Sequence, residues 1–165
     1  MQNTLYCQHM NPFLTALIVC AIIGFVIIGA WHFYTNAVAD DNPRGQVVIG
    51  QHTFKVEFAE TLASQEQGLS DRNAMAQDEG MLFIFSAPKI STFWMKGMQF
   101  PLDVLWIEDG VIVDISRNIP PPSQTGGVPR TMSPTTPADM VLEINAGFVD
   151  QLHINTGDTI HIYRN

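Results

Sequence analysis

The stretch DVLWIEDGVIVDI, running from Asp103 to Ile115, sets two apolar runs on either side of an Asp-Gly pair. Asp109-Gly110 between such runs suits a type I′ turn, which needs positive φ at both central residues. Two-residue closure pairs Glu108 with Val111, Trp106 with Val113 and Val104 with Ile115, leaving Leu105, Ile107 and Ile112 on the opposite face. Apolar residues on both faces predict a hairpin covered on both sides, placed centrally in its sheet.

Further strands can be read outward from this hairpin. Gln46–Ile49 and His52–Phe58 form a second candidate hairpin, in which Phe54, Val56 and Phe58 alternate with Lys55 and Glu57. Thr61 is placed to cap a short helix over Ala63–Gln67 that Gly68 ends. Met81–Phe85 is apolar on both faces, Thr92–Met95 is a short strand candidate, and Met140–Ile144 and Thr159–Tyr163 complete the set, with one helical turn at Phe148–Leu152. Residues 120–137 hold six prolines and read as a long surface excursion, because proline cannot donate to a strand ladder. About seven short strands with one or two short helices predict a mainly β domain, a small sandwich or partly closed barrel.

The chain before this domain differs from it in kind. Residues 1–39 contain no Lys, Arg, Asp or Glu, and they hold both cysteines, Cys7 and Cys20. Phe13–Trp31 is 19 residues without a charge, about 28 Å as a helix and close to the thickness of a bilayer core. The expected organisation is a tail over 1–12, a single transmembrane anchor or signal segment over 13–34, a linker over 35–45 and an exported β domain over 46–165. Trp31, Phe33 and Tyr34 suit a bilayer interface and favour a retained anchor. Ala37-Val38-Ala39 offers a signal-peptidase site, and cleavage after Ala39 would give a secreted or periplasmic domain. The expected location is thus the membrane, single-pass, with the C-terminal domain outside the cytoplasm.

The domain has no cysteine, so apolar burial rather than a disulfide must stabilise it. The net charge of −8 argues against a nucleic-acid or anionic-lipid partner. Met75, Met81, Met95, Met98, Met132 and Met140 would suit Cu(I), but methionine also fills core gaps, and the histidines show no ligand spacing. No metal or cofactor is expected. Nucleophilic hydrolysis lacks a Gly-x-Ser-x-Gly elbow and a domain cysteine.

Five phrases in order carry a resemblance: Gln67-Gly68-Leu69 with Arg72; Glu79 to Phe85 (EGMLFIF); Phe93-Trp94-Met95-Lys96; Pro101-Leu102-Asp103; and Val141 to Gly147 (VLEINAG). Over about residues 47–163 the chain resembles the domain-of-unknown-function 192 family, also called uncharacterised protein family 0127. The resemblance implies a small jelly-roll-like β domain, often behind a signal peptide or membrane anchor, and brings no activity, cofactor or substrate with it. The chain departs from the family pattern at Gly97-Met98, where Asn-Thr is more usual, and at Ser70, where Met is.

Asp103 and Glu143 each adjoin a strongly apolar run, and a buried carboxylate needs a partner. Arg72 and Lys96 can supply one, or backbone donors can. An extended Phe93–Lys96 puts Phe93 and Met95 on one face and Trp94 and Lys96 on the other, which points to a core strand or an exposed aromatic patch. The expected cleft has Trp94 and Met95 as walls and Arg72, Lys96, Asp103 and Glu143 as polar anchors. It would belong to a non-enzymatic binding module at the cell envelope, taking an unknown small molecule or envelope protein. The alternative is an envelope hydrolase or lyase using Asp103 and Glu143 on a carbohydrate-like ligand.

Overall fold

The computed structural model describes residues 42–164, and within them a mainly β architecture is found. The 13–34 segment and the Ala39 cleavage site lie outside the described residues. In chain order the elements are β1 (Arg44–Ile49), β2 (His52–Ala59), α1 (Leu62–Gln67), β3 (Glu79–Lys89), β4 (Phe93–Trp94), β5 (Leu102–Glu108), β6 (Val111–Ile119), a 3₁₀ turn (Pro122–Gln124), β7 (Thr131–Met132), β8 (Ala138–Asn145), α2 (Phe148–Gln151) and β9 (Ile160–Arg164). No helix among the described residues is long and apolar enough to cross a membrane.

Seven strands form one sheet in the order β6-β5-β8-β3-β2-β1-β9, and β4 pairs with β7 as a separate ribbon. All sheet contacts are antiparallel except β2 with β3. The ladder is open, yet its two edges touch: Val111 bridges Thr159, and the Ile160 amide donates to the Gly110 carbonyl at 2.8 Å. The Asp109-Gly110 turn forms as expected, with φ of 48° and 75°.

Two details of the hairpin differ from the sequence reading. Glu108 does face Val111, but a bulge between the Trp106 and Ile107 pairs leaves Val113 out of register, so Trp106 pairs with Asp114 and Val104 with Ser116. Such a bulge inserts one residue and increases local twist. The hairpin is also not central as a unit, because β6 is an edge strand while β5 lies inside against β8.

Strand alternation sorts the core into two clusters, one on each face of the sheet. Leu105 and Ile107 of β5 join Leu82, Leu142, Ile144 and the β1–β2 apolar residues, closed over by Val149 and Ile154 from the α2 region. Leu102, Val104 and Trp106 face the other way, with Met81, Phe83, Val141, Met95 and Met98. The β4/β7 ribbon covers this second face. Phe93 stacks edge-on against Phe83 at 4.9 Å and Trp106 at 5.4 Å between centroids, a preferred arrangement for aromatic quadrupoles. Part of the proline-rich excursion is therefore ordered as β7, and its Met132 is buried against Phe93.

Trp106 is fully buried, and its indole N–H donates to Ser116 at 3.1 Å. Trp106→Ala is expected to cost about 3–5 kcal/mol and to loosen the ribbon that Phe93 anchors, measured by urea denaturation and amide exchange at Met95.

Candidate functional site

Thr61 caps α1 through a reciprocal pair: the Ser64 amide donates to Thr61 Oγ1 at 3.1 Å and the Thr61 amide donates to Ser64 Oγ at 3.0 Å. Gln65 then pins the helix to the sheet, its Nε2 donating to the carbonyls of Ala59 at 3.2 Å and Ile84 at 2.8 Å. Opposite this fixed helix runs β4. The space between them is an open groove of about 610 Å³, lined by Leu62, Gln65, Glu66 and Gln67 on one side and Thr92, Phe93, Trp94 and Lys96 on the other.

Phe93 and Met95 point into the core, which forces Trp94 outward, where 57% of it is exposed. The Lys96 ammonium lies 4.8 Å from the Trp94 ring centroid, a cation–π contact worth roughly 0.5–1 kcal/mol at an exposed site. The floor of the groove is thus apolar and its rim carries amides, a hydroxyl and charges of both signs. Such a mixture suits a polar ligand with an apolar face.

Of the six residues that sequence reasoning gathered into one cleft, the structure brings Trp94 and Lys96 together there. Met95 is buried beneath them. Arg72 forms a two-pronged pair with Glu57, at 2.7 Å and 2.6 Å, and that pair holds the Glu57 carboxyl below its usual range.

Asp103 and Glu143 occupy opposite faces of the sheet, because Asp103 is opposite Ile144 and Glu143 is opposite Val104 in the β5–β8 register. Asp103 is fully buried, and its oxygens accept from the Asn118 amide at 2.7 Å and the Val149 amide at 3.0 Å. The carboxylate clamps the end of β6 to the start of α2, at two points where the chain turns through positive φ (Asn118 and Gly147). The two carboxyls therefore cannot flank one glycosidic bond, as paired acid and nucleophile must.

Glu143 lies between Met81 and Val104 on neighbouring strands. No hydrogen bond reaches its carboxyl among the described residues, and burial pushes it up to about 8. Met75, Met81, Met95, Met98 and Met132 gather in or against this same cluster, and Met140 packs on the other face. Methionines give that cluster a soft, adaptable packing shell. Among the described residues no set of three His, Cys, Asp or Glu side chains is placed to hold a metal.

Sequence reasoning missed Leu62 and the α1 glutamines as groove residues, since nothing local shows that α1 faces β4. The two departures from the family pattern meet in space. Gly97 has φ of 73°, and a Cβ there would come 3.1 Å from the Cβ of Ser70. Ser70 Oγ also donates to the Lys96 carbonyl at 2.9 Å, shaping the loop that carries Lys96.

The structure defines a small β domain, built on one curled sheet, with an exposed aromatic groove beside its two-stranded ribbon. The chain belongs to the DUF192 family, described as uncharacterised, whose model matches residues 45–162. Two solved structures are similar. One is a proposed transcription regulator from Sinorhizobium meliloti, 35% identical, covering 73% of this chain and 93% of its own, with a TM-score of 0.64. The other is a protein of unknown function from Novosphingobium aromaticivorans, 32% identical, covering 70% of this chain and 83% of its own, with a TM-score of 0.64. No curated protein matches the chain.

Two outcomes are expected. Asp103→Ala leaves two amides without an acceptor and should cost about 2–4 kcal/mol in chemical denaturation, with Asp103→Asn intermediate. For Glu143 the folded value is raised above the ordinary 4.5, so its contribution to stability is full below that value and is lost as pH rises towards about 8. Glu143→Met should therefore stabilise the fold by a margin that grows by a few kcal/mol between pH 5 and pH 8.5, read from thermal melts; equal margins at both would refute the assignment.

Proposed function

We propose that this domain is a non-enzymatic binding module displayed at the cell envelope, with its ligand seated in the groove between α1 and β4. The observation that carries this reading is the outward-facing Trp94 ring, held by inward Phe93 and Met95 and flanked by Lys96, opposite a pinned helix. A rigid indole platform with Gln65, Glu66, Gln67 and Thr92 around it suits a saccharide or similar polar ring, whose C–H face stacks while its hydroxyls reach the rim. A hydrolase or lyase built on Asp103 and Glu143 finds no support in this geometry, since the two carboxyls face opposite sides of the sheet.

The chain before the domain supports envelope display. Its 39 uncharged residues carry an apolar run long enough to span a bilayer, and the linker that follows is short and polar. A retained anchor would hold the domain at the outer surface of that membrane; the intact mass of the chain recovered from cell membranes separates this from cleavage after Ala39.

Residues 42–165 form a compact unit, and the solved relatives consist largely of the same domain, so this fragment suits solution work. Isothermal titration with soluble peptidoglycan-derived oligosaccharides should give saturable binding that Trp94→Ala weakens about tenfold, with no change in the melting of the free protein. Absence of saturable binding, or equal affinity in Trp94→Ala, refutes the groove as a saccharide site.

A further inference from the structure

The groove between α1 and β4 is rich in polar side chains, yet most of them are already engaged. Gln65 Nε2 donates to the Ala59 and Ile84 carbonyls, and Gln67 Nε2 donates to the Ser70 carbonyl at 3.2 Å. The Thr92 hydroxyl shares a hydrogen bond of 3.0 Å with Ser133 Oγ. Two polar side chains of the lining are left over, and they carry opposite charges. Glu66 stands on the helix wall, and its carboxylate meets no hydrogen-bond donor or cation among the described residues. Lys96 stands on the strand wall, where its ammonium has the Trp94 ring as its one partner among the described residues. The two do not pair with each other across the groove.

From this arrangement we infer that the groove takes a zwitterionic ligand, with an anionic group at Lys96, an ammonium at Glu66 and an apolar ring face on Trp94. The inference rests on the groove reading given above and specifies that ligand by charge. Strand alternation puts Trp94 and Lys96 on one face, so a ring stacked on the indole brings one of its substituents beside the ammonium. A carboxylate there is a stronger partner for the ammonium than the ring is, so Lys96 leaves the indole face free as the ligand stacks.

Desolvation makes the choice selective. Any ligand that fills the groove displaces water from both charges. A neutral ligand leaves both without a partner, a singly charged one leaves one, and each uncompensated charge costs affinity. A zwitterion replaces both hydration shells at once. Its orientation is fixed as well, because the reversed pose sets like charges against each other. A polyanion would satisfy Lys96 and be repelled by Glu66. Among saccharides, a pyranose bearing a free amine and a carboxylate meets these demands and keeps a C–H face for the indole.

Muramic acid, N-acetylmuramic acid, glucosamine and N-acetylglucosamine present the four charge states on one ring: zwitterion, anion, cation and neutral. Each can be titrated into the 42–165 fragment at about pH 6, where free sugar amines are protonated, with the Trp94 indole N–H followed by NMR. Muramic acid should bind roughly threefold tighter than either singly charged sugar and about tenfold tighter than the neutral one. Glu66→Gln should erase the difference between muramic acid and N-acetylmuramic acid and keep that between muramic acid and glucosamine; Lys96→Gln should do the reverse. Both side chains are exposed, so the melting of the free fragment should not change. Equal affinity for all four sugars, or a charge preference that survives both substitutions, overturns the inference and leaves the groove as a saccharide site. Tightest binding of a singly charged sugar overturns it too. No saturable binding of any of the four overturns it, and the oligosaccharide titration above then decides whether the groove reading falls as well.

Discussion

The central strands β3, β5 and β8 are buried on both faces, and this is the constraint from which the remaining architecture follows. In β5 every residue from Leu102 to Ile107 is buried, so neither face can be left to water without a cost of about 25 cal/mol per Å² of apolar surface exposed. One face is closed by the curl of the sheet, whose edges meet near Thr159, together with the α2 region. The other face cannot be closed by the same curl. It is covered by pieces drawn from distant parts of the chain: Leu69 after α1, Phe93 and Met95 around β4, Met98, and Met132 from β7. Covering a flat face with short, irregular segments leaves uneven gaps, and methionine, with its flexible unbranched side chain, fills such gaps well.

The same alternation explains the contrasting fates of two neighbouring carboxyls. Asp103 and Glu143 lie on adjacent strands one residue out of step, so they point to opposite sides. Asp103 meets the point where β6 ends and α2 begins, a place with free amides to offer, and it is held by two hydrogen bonds. Glu143 lies on the other face between Met81 and Val104, no hydrogen bond reaches its carboxyl among the described residues, and burial pushes its pKa up to about 8. A buried carboxyl without a partner destabilises the fold it sits in. The two acids thus do unlike things for reasons of sidedness alone, and their shared closeness to apolar sequence carries no information about a common site.

Much of this sheet is legible in the sequence where the determining contacts are local. The Phe54-Val56-Phe58 alternation, the Asp109-Gly110 turn and the Thr61–Gly68 limits of α1 each depend on a few adjacent residues, and each is found. The bulge at Val113, between the Trp106 and Ile107 pairs, is not legible, because no turn residue or break in the apolar pattern marks it. The β4/β7 ribbon pairs residues about forty apart across a proline-rich stretch, and only two pairs form it. No periodicity in so short a segment could announce its partner. The candidate site follows the same division: the outward Trp94 and Lys96 are readable from alternation, whereas Leu62, Gln65 and Gln67 join them only through tertiary placement of α1.

The tetrad Phe93-Trp94-Met95-Lys96 links stability to function directly. Phe93 is wedged among Phe83, Phe85 and Trp106, and Met95 is buried while its amide is held by Arg130. With the odd positions fixed in the core, the even positions have no choice of face. Trp94 is therefore turned outward because its neighbours point inward, and the Lys96 ammonium lies over its indole ring. The ribbon thus holds an exposed indole beside Lys96, and the same wedge that stabilises the second face of the sheet determines which side chains that margin presents.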